Sequence, residues 1–282
     1  MTYVFLFGIG ESGKSAILSS LMYYLHAQRP GDGIQNLNRN EIPHERRGNI
    51  LLDEMLTKIP NGKFPARTAT LASERSIIPR HIKANFIPGN GSKPNFKFCL
   101  LDVSGEELER VLQSNPQQFT ELPEGIDAFL SLDPRNLIFI SVYPSESNNF
   151  DDARLSAAQR SFMDLLDQRG LSDVPMLTLV SKWDLVKQDF SSSKEFLQQR
   201  APIVWNQINQ PGRITSLSTF SVGEVDRRRQ SFVYDPEDAE HLFKWMYETQ
   251  MGEPVEDDQP LIQNHPPSKW NKFMNIVSGR NE

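Results

Sequence analysis

The stretch VFLFGIGESGKSAILSSL, residues 4–21, constrains the fold more than any other part of the chain. Residues 4–7 form a short apolar run of strand character. Gly8 to Ser15 fits G-x-x-x-x-G-K-[ST], and residues 16–25 continue with helical character. Strand, glycine loop and helix in that order is the context the motif needs. Gly8, Gly10 and Gly13 let the backbone turn tightly, so that successive N–H groups point inward at phosphate oxygens. The positive end of the following helix adds to the attraction. Lys14 can then reach the β- and γ-phosphates, and the Ser15 hydroxyl is placed to coordinate Mg²⁺. The candidate nucleotide-binding residues here are Gly8, Gly10, Glu11, Ser12, Gly13, Lys14, Ser15 and Ala16.

The 282 residues are enough for one large domain with a sizeable core. A formal net charge of −6 argues against bulk electrostatic binding to nucleic acid or to an acidic membrane. The single cysteine, Cys99, has no partner for an internal disulfide, which points to a reducing compartment. Its setting, FKFCLLD, reads as a buried strand, and Cys99 as a small core residue. No segment approaches the apolar length needed to span a bilayer, and the first residues run straight into a strand without a charged leader. A soluble, cytoplasmic protein is expected.

Downstream, residues 29–43 are polar and carry Gly and Pro, so they read as a loop. Ile50, Leu51, Met55, Leu56 and Ile59 recur at helical spacing, which predicts an extra helix over 44–59. Residues 61–76, with Pro65, Thr68 and Thr70, read as a loop. Residues 82–88 and 95–102 read as strands of an antiparallel hairpin about the turn GNGSKP. The second strand runs into Asp102-Val103-Ser104-Gly105, a D-x-x-G leaving an apolar strand. A nucleoside triphosphatase places there the carboxylate that holds the Mg²⁺ water shell and a glycine N–H for the γ-phosphate.

Residues 106–113 are predicted helical, and 115–134 are broken by Pro116, Pro123 and Pro134. A buried strand over 136–143 and an amphipathic helix over 152–169 follow, the helix with Leu155, Ala158, Phe162, Leu165 and Leu166 on one face. The next apolar run, 175–180, ends in Ser181-Lys182-Trp183-Asp184. Continuous apolar runs alternating with helices indicate a parallel sheet covered on both faces. One helix is predicted from near Ser193 to Ile208, and residues 213–221 are read as the last strand. Residues 235–250 form a closing helix with an acidic start and an apolar face of Leu242, Phe243, Trp245 and Met246.

SKWD resembles the [NT]-K-x-D guanine-specificity motif of Ras-like and translation-factor-related GTPases. The resemblance implies that Asp184 accepts hydrogen bonds from the guanine N1 and exocyclic amine and so selects GTP over ATP. Lys182 would lie along the base and the P-loop. Ser181 stands where the family has Asn or Thr, which implies weaker bracing of the loop. Ser221-Val222-Gly223 stands where such GTPases place a loop whose backbone N–H meets the guanine oxygen. The set covers residues 1–250 in the family's order. It implies a three-layer α/β P-loop domain of Ras-like topology, with a mostly parallel sheet, one antiparallel hairpin strand and a helical insertion at about 30–62 before the first switch. GTP, GDP and Mg²⁺ are the implied ligands.

GxGESGKS is similar to the loop of heterotrimeric G-protein α subunits. There an arginine three residues before a threonine acts as an internal arginine finger, and Arg67 and Thr70 reproduce that spacing. FPARTAT also resembles the P-x-x-T switch segment of bacterial GTPases of conflict or defence operons, including double-GTPase groups. In that register Thr68 is the Mg²⁺-binding threonine. Ser15, Asp102 and either Thr68 or Thr70 are thus the candidate metal ligands. Directly after D-x-x-G the family carries a glutamine that orients the attacking water, but here the position is Glu106. A carboxylate near the γ-phosphate is repelled unless paired or protonated, which predicts slow intrinsic hydrolysis. Lys14, Arg67 and Glu106 are therefore the candidate catalytic residues, in a switch that a protein effector or activating partner completes.

A non-hydrolysing GTP-bound scaffold is the alternative favoured by Glu106, and an ATPase is opposed by SKWD. Arg227, Arg228 and Arg229 read as a solvated basic face. Residues 251–282 form an acidic, proline-bearing linker and an amphipathic patch of Trp270, Phe273, Met274, Ile276 and Val277. That patch either packs back on the domain or docks on a partner.

Overall fold

The computed structural model describes residues 1–27, 32–37, 43–65, 80–89, 93–102, 124–146, 149–210, 213, 215–226, 228 and 231–252. Nine strands lie among them: β1 Thr2–Phe7, β2 Gly33–Asn36, β3 Arg80–Ile87, β4 Phe96–Asp102, β5 Leu137–Pro144, β6 Met176–Ser181, β7 Thr215–Phe220, β8 Gly223–Asp226 and β9 Ser231–Tyr234. The described helices are α1 Lys14–Ala27, α2 Pro43–Lys58, α3 Glu124–Leu130, α4 Asn149–Gln168, α5 Ser193–Arg200, α6 Pro202–Ile208 and α7 Glu237–Met251.

Seven strands make one sheet in the order β2-β3-β4-β1-β5-β6-β7, and β8 and β9 form a separate hairpin. β1 pairs in parallel with β4 and β5, and β5–β6 and β6–β7 are also parallel. β3 alone runs against its neighbours, pairing antiparallel with β4 and with β2. This is the three-layer P-loop architecture expected from the sequence, with the P-loop strand at the centre.

The period-2 alternation of strand side chains builds a core on each face. Val4 and Leu6 join Ile138, Ile140 and Val142 under α1, α2 and α7, while Phe5 and Phe7 join Phe139 under α3, α4, α5 and α6. The Phe7 ring stacks on Phe162 of α4 at 4.4 Å, and Phe129 of α3 packs on Phe5 at 5.4 Å. The predicted α4 face, Leu155, Ala158, Phe162, Leu165 and Leu166, is buried throughout. Cys99 is buried as expected, and burial pushes its thiol up to about 12.

Several expectations need correction. The stretch read as a loop over 29–43 contains β2, an edge strand held by its ladder to β3 and too short to show an alternating pattern. Residues 115–134, read as broken by prolines, contain α3. Ile126, Phe129 and Leu130 give it a buried face despite its short length. The single helix expected from Ser193 to Ile208 is two, because Ala201 before Pro202 takes a non-helical conformation (φ −137°, ψ 58°). Ile50 shares the helical spacing of the α2 apolar residues yet is exposed, whereas Leu51, Leu52 and Met55 are buried. β7 is not the last strand, since the β8–β9 hairpin follows it. The predicted helix over 106–113 and the C-terminal segment from residue 253 lie outside the described residues.

Candidate functional site

The parallel strands end together, at Phe7, Asp102, Pro144, Ser181 and Phe220. In open α/β sheets ligands collect beyond the carboxyl ends, where neighbouring connections diverge to opposite faces. Here α1 leaves β1 toward one face and α4 leaves β5 toward the other. The P-loop lies in the resulting crevice.

Residues 8–13 turn tightly between β1 and α1. Glu11 sits at φ 64°, an uncommon conformation for a residue with a side chain. Gly8 is glycine for want of space, since an added Cβ would lie 2.7 Å from Ser12 Oγ and 2.9 Å from the Val142 carbonyl oxygen. Lys14 is almost wholly buried. Its Nζ donates to the carbonyl oxygens of Gly8 (2.7 Å) and Ile9 (2.9 Å) and to Ser12 Oγ (3.3 Å). The ammonium therefore sits inside the curl of the loop, satisfied by main-chain oxygens and directed toward its concave side.

Ser181, at the end of β6, donates through Oγ to the Ser12 carbonyl at 2.6 Å. The hydroxyl thus contacts the P-loop directly. Lys182 takes a left-handed conformation (φ 56°), and its carbonyl accepts from Ser145 Oγ at 2.7 Å. Its Nζ lies 3.5 Å from Glu146 Oε2, a half-exposed pair of small energetic weight. Asp184 follows in a 3-10 turn, Trp183–Leu185.

A cavity of about 520 Å³ opens beside the loop, within the range of small-ligand sites. Gly13, Ala16 and Ile17 line it at the P-loop end, with Ser181, Lys182, Asp184, Ser221 and Val222 around it and Phe64, Glu146 and Val225 closing its walls. The fold therefore brings SKWD, the Ser221–Val222 loop and the start of α1 to one space. Asp102 closes β4 one residue beyond the Phe5–Leu101 pair, so its backbone reaches the same end of the sheet. Arg67, Thr68, Thr70, Gly105 and Glu106 lie outside the described residues. Among the described residues no cluster of three or more His, Cys, Asp or Glu side chains forms a ready-made metal site. A hydroxyl at Ser15 and a carboxylate at Asp102, on adjacent segments and both hard oxygen donors, nevertheless fit the chemistry of Mg²⁺.

Phe64, Glu146, Val225 and Asp238 were missed from sequence. Phe64 lay within the FPARTAT segment but was read only for its arginine and threonines. Asp238 belongs to the acidic start of the closing helix, which by itself signals only a favourable charge at a helix N-terminus. In the fold, Asp238 Oδ2 accepts from both the N–H (2.7 Å) and the Oγ (3.0 Å) of Ser221, and the Asp235 N–H donates to the Val222 carbonyl at 3.1 Å. The loop is thereby tied to the start of α7. Burial pushes the Asp238 carboxyl above its ordinary value and the Glu237 charge adds to the rise, while the Ser221 bonds and His241 pull it down.

Because the folded form holds this proton more tightly than the unfolded chain, Asp238 supports stability at low pH. That support is lost as pH rises through its raised value. Asp238→Asn is expected to remove this downward step from the pH dependence of the melting temperature, with wild type as the control. A step of unchanged size would assign it to another group. Asp238→Ala, which leaves the Ser221 N–H without its acceptor, is expected to cost about 1–3 kcal/mol in denaturant unfolding.

No family model matches the chain, and no curated protein matches it. Among solved structures it is similar to the "Signal recognition particle receptor SRb-GTP/SRX complex from Chaetomium thermophilum", at 15% identity and a TM-score of 0.43. The match covers 88% of this chain and 98% of that one. So distant a likeness identifies neither ligand nor activity. The fold assignment rests on the strand order and the P-loop geometry themselves. No helix among the described residues is long and apolar enough to cross a membrane.

Proposed function

We propose that the chain binds GTP and GDP and hydrolyses GTP slowly, as a conformational switch. The observation that carries this reading is the shared cavity. Asp184 and the Ser221–Val222 loop line it together with Gly13 and Ala16, while Ser181 joins the end of β6 to the P-loop through Ser12. A nucleoside placed there directs its phosphates at the curl that holds Lys14. A carboxylate at Asp184 accepts two hydrogen bonds from the edge of guanine, whereas adenine offers it no matching pair. Phe64 and Val225 supply apolar area for the faces of the base.

Ser15 and Asp102, with Thr68 or Thr70, would hold Mg²⁺. When bound, the ion offsets the charge of the β- and γ-phosphate oxygens. Lys14 exchanges its main-chain partners for phosphate oxygens, and the N–H groups at the start of α1 face the same charge. Glu106 in place of the water-orienting glutamine slows hydrolysis, and Arg67 or a protein partner completes the site. The same Glu106 supports the second reading, a GTP-bound scaffold that does not hydrolyse its nucleotide. Kinship with G-protein α subunits or with the GTPases of conflict operons rests on residues 8–15 and 64–70 alone.

Calorimetric titration with GDP, GTP, ADP and ATP tests the ligand. Guanine nucleotides are expected to bind about a hundredfold or more tightly than adenine nucleotides, because adenine leaves buried polar groups unpaired. Equal affinities overturn the assignment. In single-turnover assays Arg67→Ala is expected to slow phosphate release further and Glu106→Gln to speed it. Rapid release unaffected by either change would sink the slow-switch reading, and absence of release would favour the scaffold.

A further inference from the structure

We propose that Phe232 of the β8–β9 hairpin is a positioning residue that holds Phe64 as one wall of the cavity. The hairpin thereby sets the width of the slot that receives the base. This inference rests on the GTP-binding reading above.

Phe64 lines the cavity but is itself 39% exposed, so its ring is only partly enclosed. It packs on the buried ring of Phe232, with centroids 4.8 Å apart and planes tilted by 49°. The same residue grips the chain a second time, since the Phe232 N–H donates to the Gly62 carbonyl at 3.0 Å. Gly62 has φ 61°, and a Cβ there would lie 2.3 Å from the Phe232 carbonyl oxygen. Main chain meets main chain at this point, closer than a side chain permits. Two attachments two residues apart fix both the path and the ring of the segment carrying Phe64.

The hairpin is in turn fixed to the rest of the site. Val225, the register partner of Phe232, lines the same cavity. At the base of the hairpin the Asp235 N–H bonds the Val222 carbonyl, which leaves the Ser221–Val222 turn and Phe232 in one connected unit. Tyr234 anchors this unit to α1, donating from its hydroxyl to the Ser20 carbonyl at 3.1 Å and packing edge-on against Tyr23. Phe64 and Val222, both of which line the cavity, are therefore tied to a single two-stranded element. Phe232 acts on the ligand only through Phe64.

A double-mutant cycle on the full chain, read as GDP affinity, tests this. Phe64→Ala is expected to weaken GDP by about tenfold to a hundredfold, the range for loss of an aromatic face against a base. Phe232→Ala is expected to weaken it by about fivefold to tenfold. The double variant should bind no more weakly than Phe64→Ala alone, because the two residues act in series. Pyrophosphate, which reaches only the loop and Lys14, should bind all variants equally. Phe232→Leu keeps the hairpin filled without the ring and completes the same cycle if the alanine variant unfolds. Additive losses, or wild-type GDP binding by Phe232→Leu beside a weakened Phe64→Ala, would overturn the proposal. A wild-type chain that binds pyrophosphate but not GDP overturns the guanine reading itself.

Discussion

Asp184→Asn is expected to exchange the base preference of the chain, from guanine to xanthine nucleotides. Guanine offers two adjacent donors, N1–H and the exocyclic amine, which one carboxylate at the cavity wall can accept together. Asparagine keeps one acceptor and replaces the other with an N–H₂ donor, which then opposes the guanine amine. Xanthine carries an oxygen at that place and restores the match. The loss for GTP and the gain for XTP should each be about a hundredfold or more, since a mismatched, water-excluded donor pair cannot be recovered elsewhere. Fluorescent-nucleotide displacement with GTP, XTP and ATP measures all three. Retained preference for GTP would remove Asp184 from the base site. The backbone offers a reason for the change to act locally, because the 3-10 turn carrying Asp184 is closed by main-chain bonds from Leu185 to Lys182 and from Val186 to Trp183.

Lys14→Ala is expected to lower GTP affinity by about a hundredfold or more and GMP affinity far less. The ammonium is already dehydrated within the loop and bonded to the Gly8 and Ile9 carbonyls, so it meets a phosphate without a large desolvation cost at the moment of binding. Charge-assisted bonds to two phosphate groups exceed neutral ones roughly twofold in strength, and the crevice screens them less than bulk water does. Arginine is no substitute, because its planar fork does not fit the curl that a point charge fills. Calorimetry with GMP, GDP and GTP gives the discriminating pattern, a loss that grows with phosphate number. A uniform loss across the three would mean that the substitution had deformed the loop instead. Unchanged GTP binding would exclude Lys14 from the phosphate site.

Much of the frame was readable from local pattern. Residues 4–7 lie inside β1 and 175–180 correspond to β6, because each is an apolar run that only a doubly covered sheet can bury, while residues 95–102 correspond to β4, legible as the second strand of a hairpin about a strong turn. The amphipathic face of α4 was legible for a similar reason, since a period of 3.6 residues survives substitution at individual positions. Elements without a strong period were not legible. β2 and the strands of the β8–β9 hairpin are only four residues long, too short to show an alternating pattern, β2 pairs with a strand distant in sequence, and α3 has room for only a few core contacts. At Ala201 and Pro202 the apolar period continues across a break that the proline imposes on the residue before it.

The sequence alone marked the proposed phosphate end of the candidate site. A P-loop is made by consecutive residues, so its glycines, Lys14 and Ser15 carry their chemistry wherever the strand and helix around them form. The base end was decided by tertiary structure. Asp184 was legible in SKWD, but Phe64, Val225 and Asp238 come from three separate segments, and Phe64 packs on Phe232 in a contact that no spacing announces. Ser181 shows the boundary between the two. Its departure from the family's asparagine implied weaker bracing, and the fold shows which atom of the loop its hydroxyl meets, the Ser12 carbonyl at 2.6 Å. The brace joins the carboxyl end of β6 to the loop after β1, two segments that only the fold brings together.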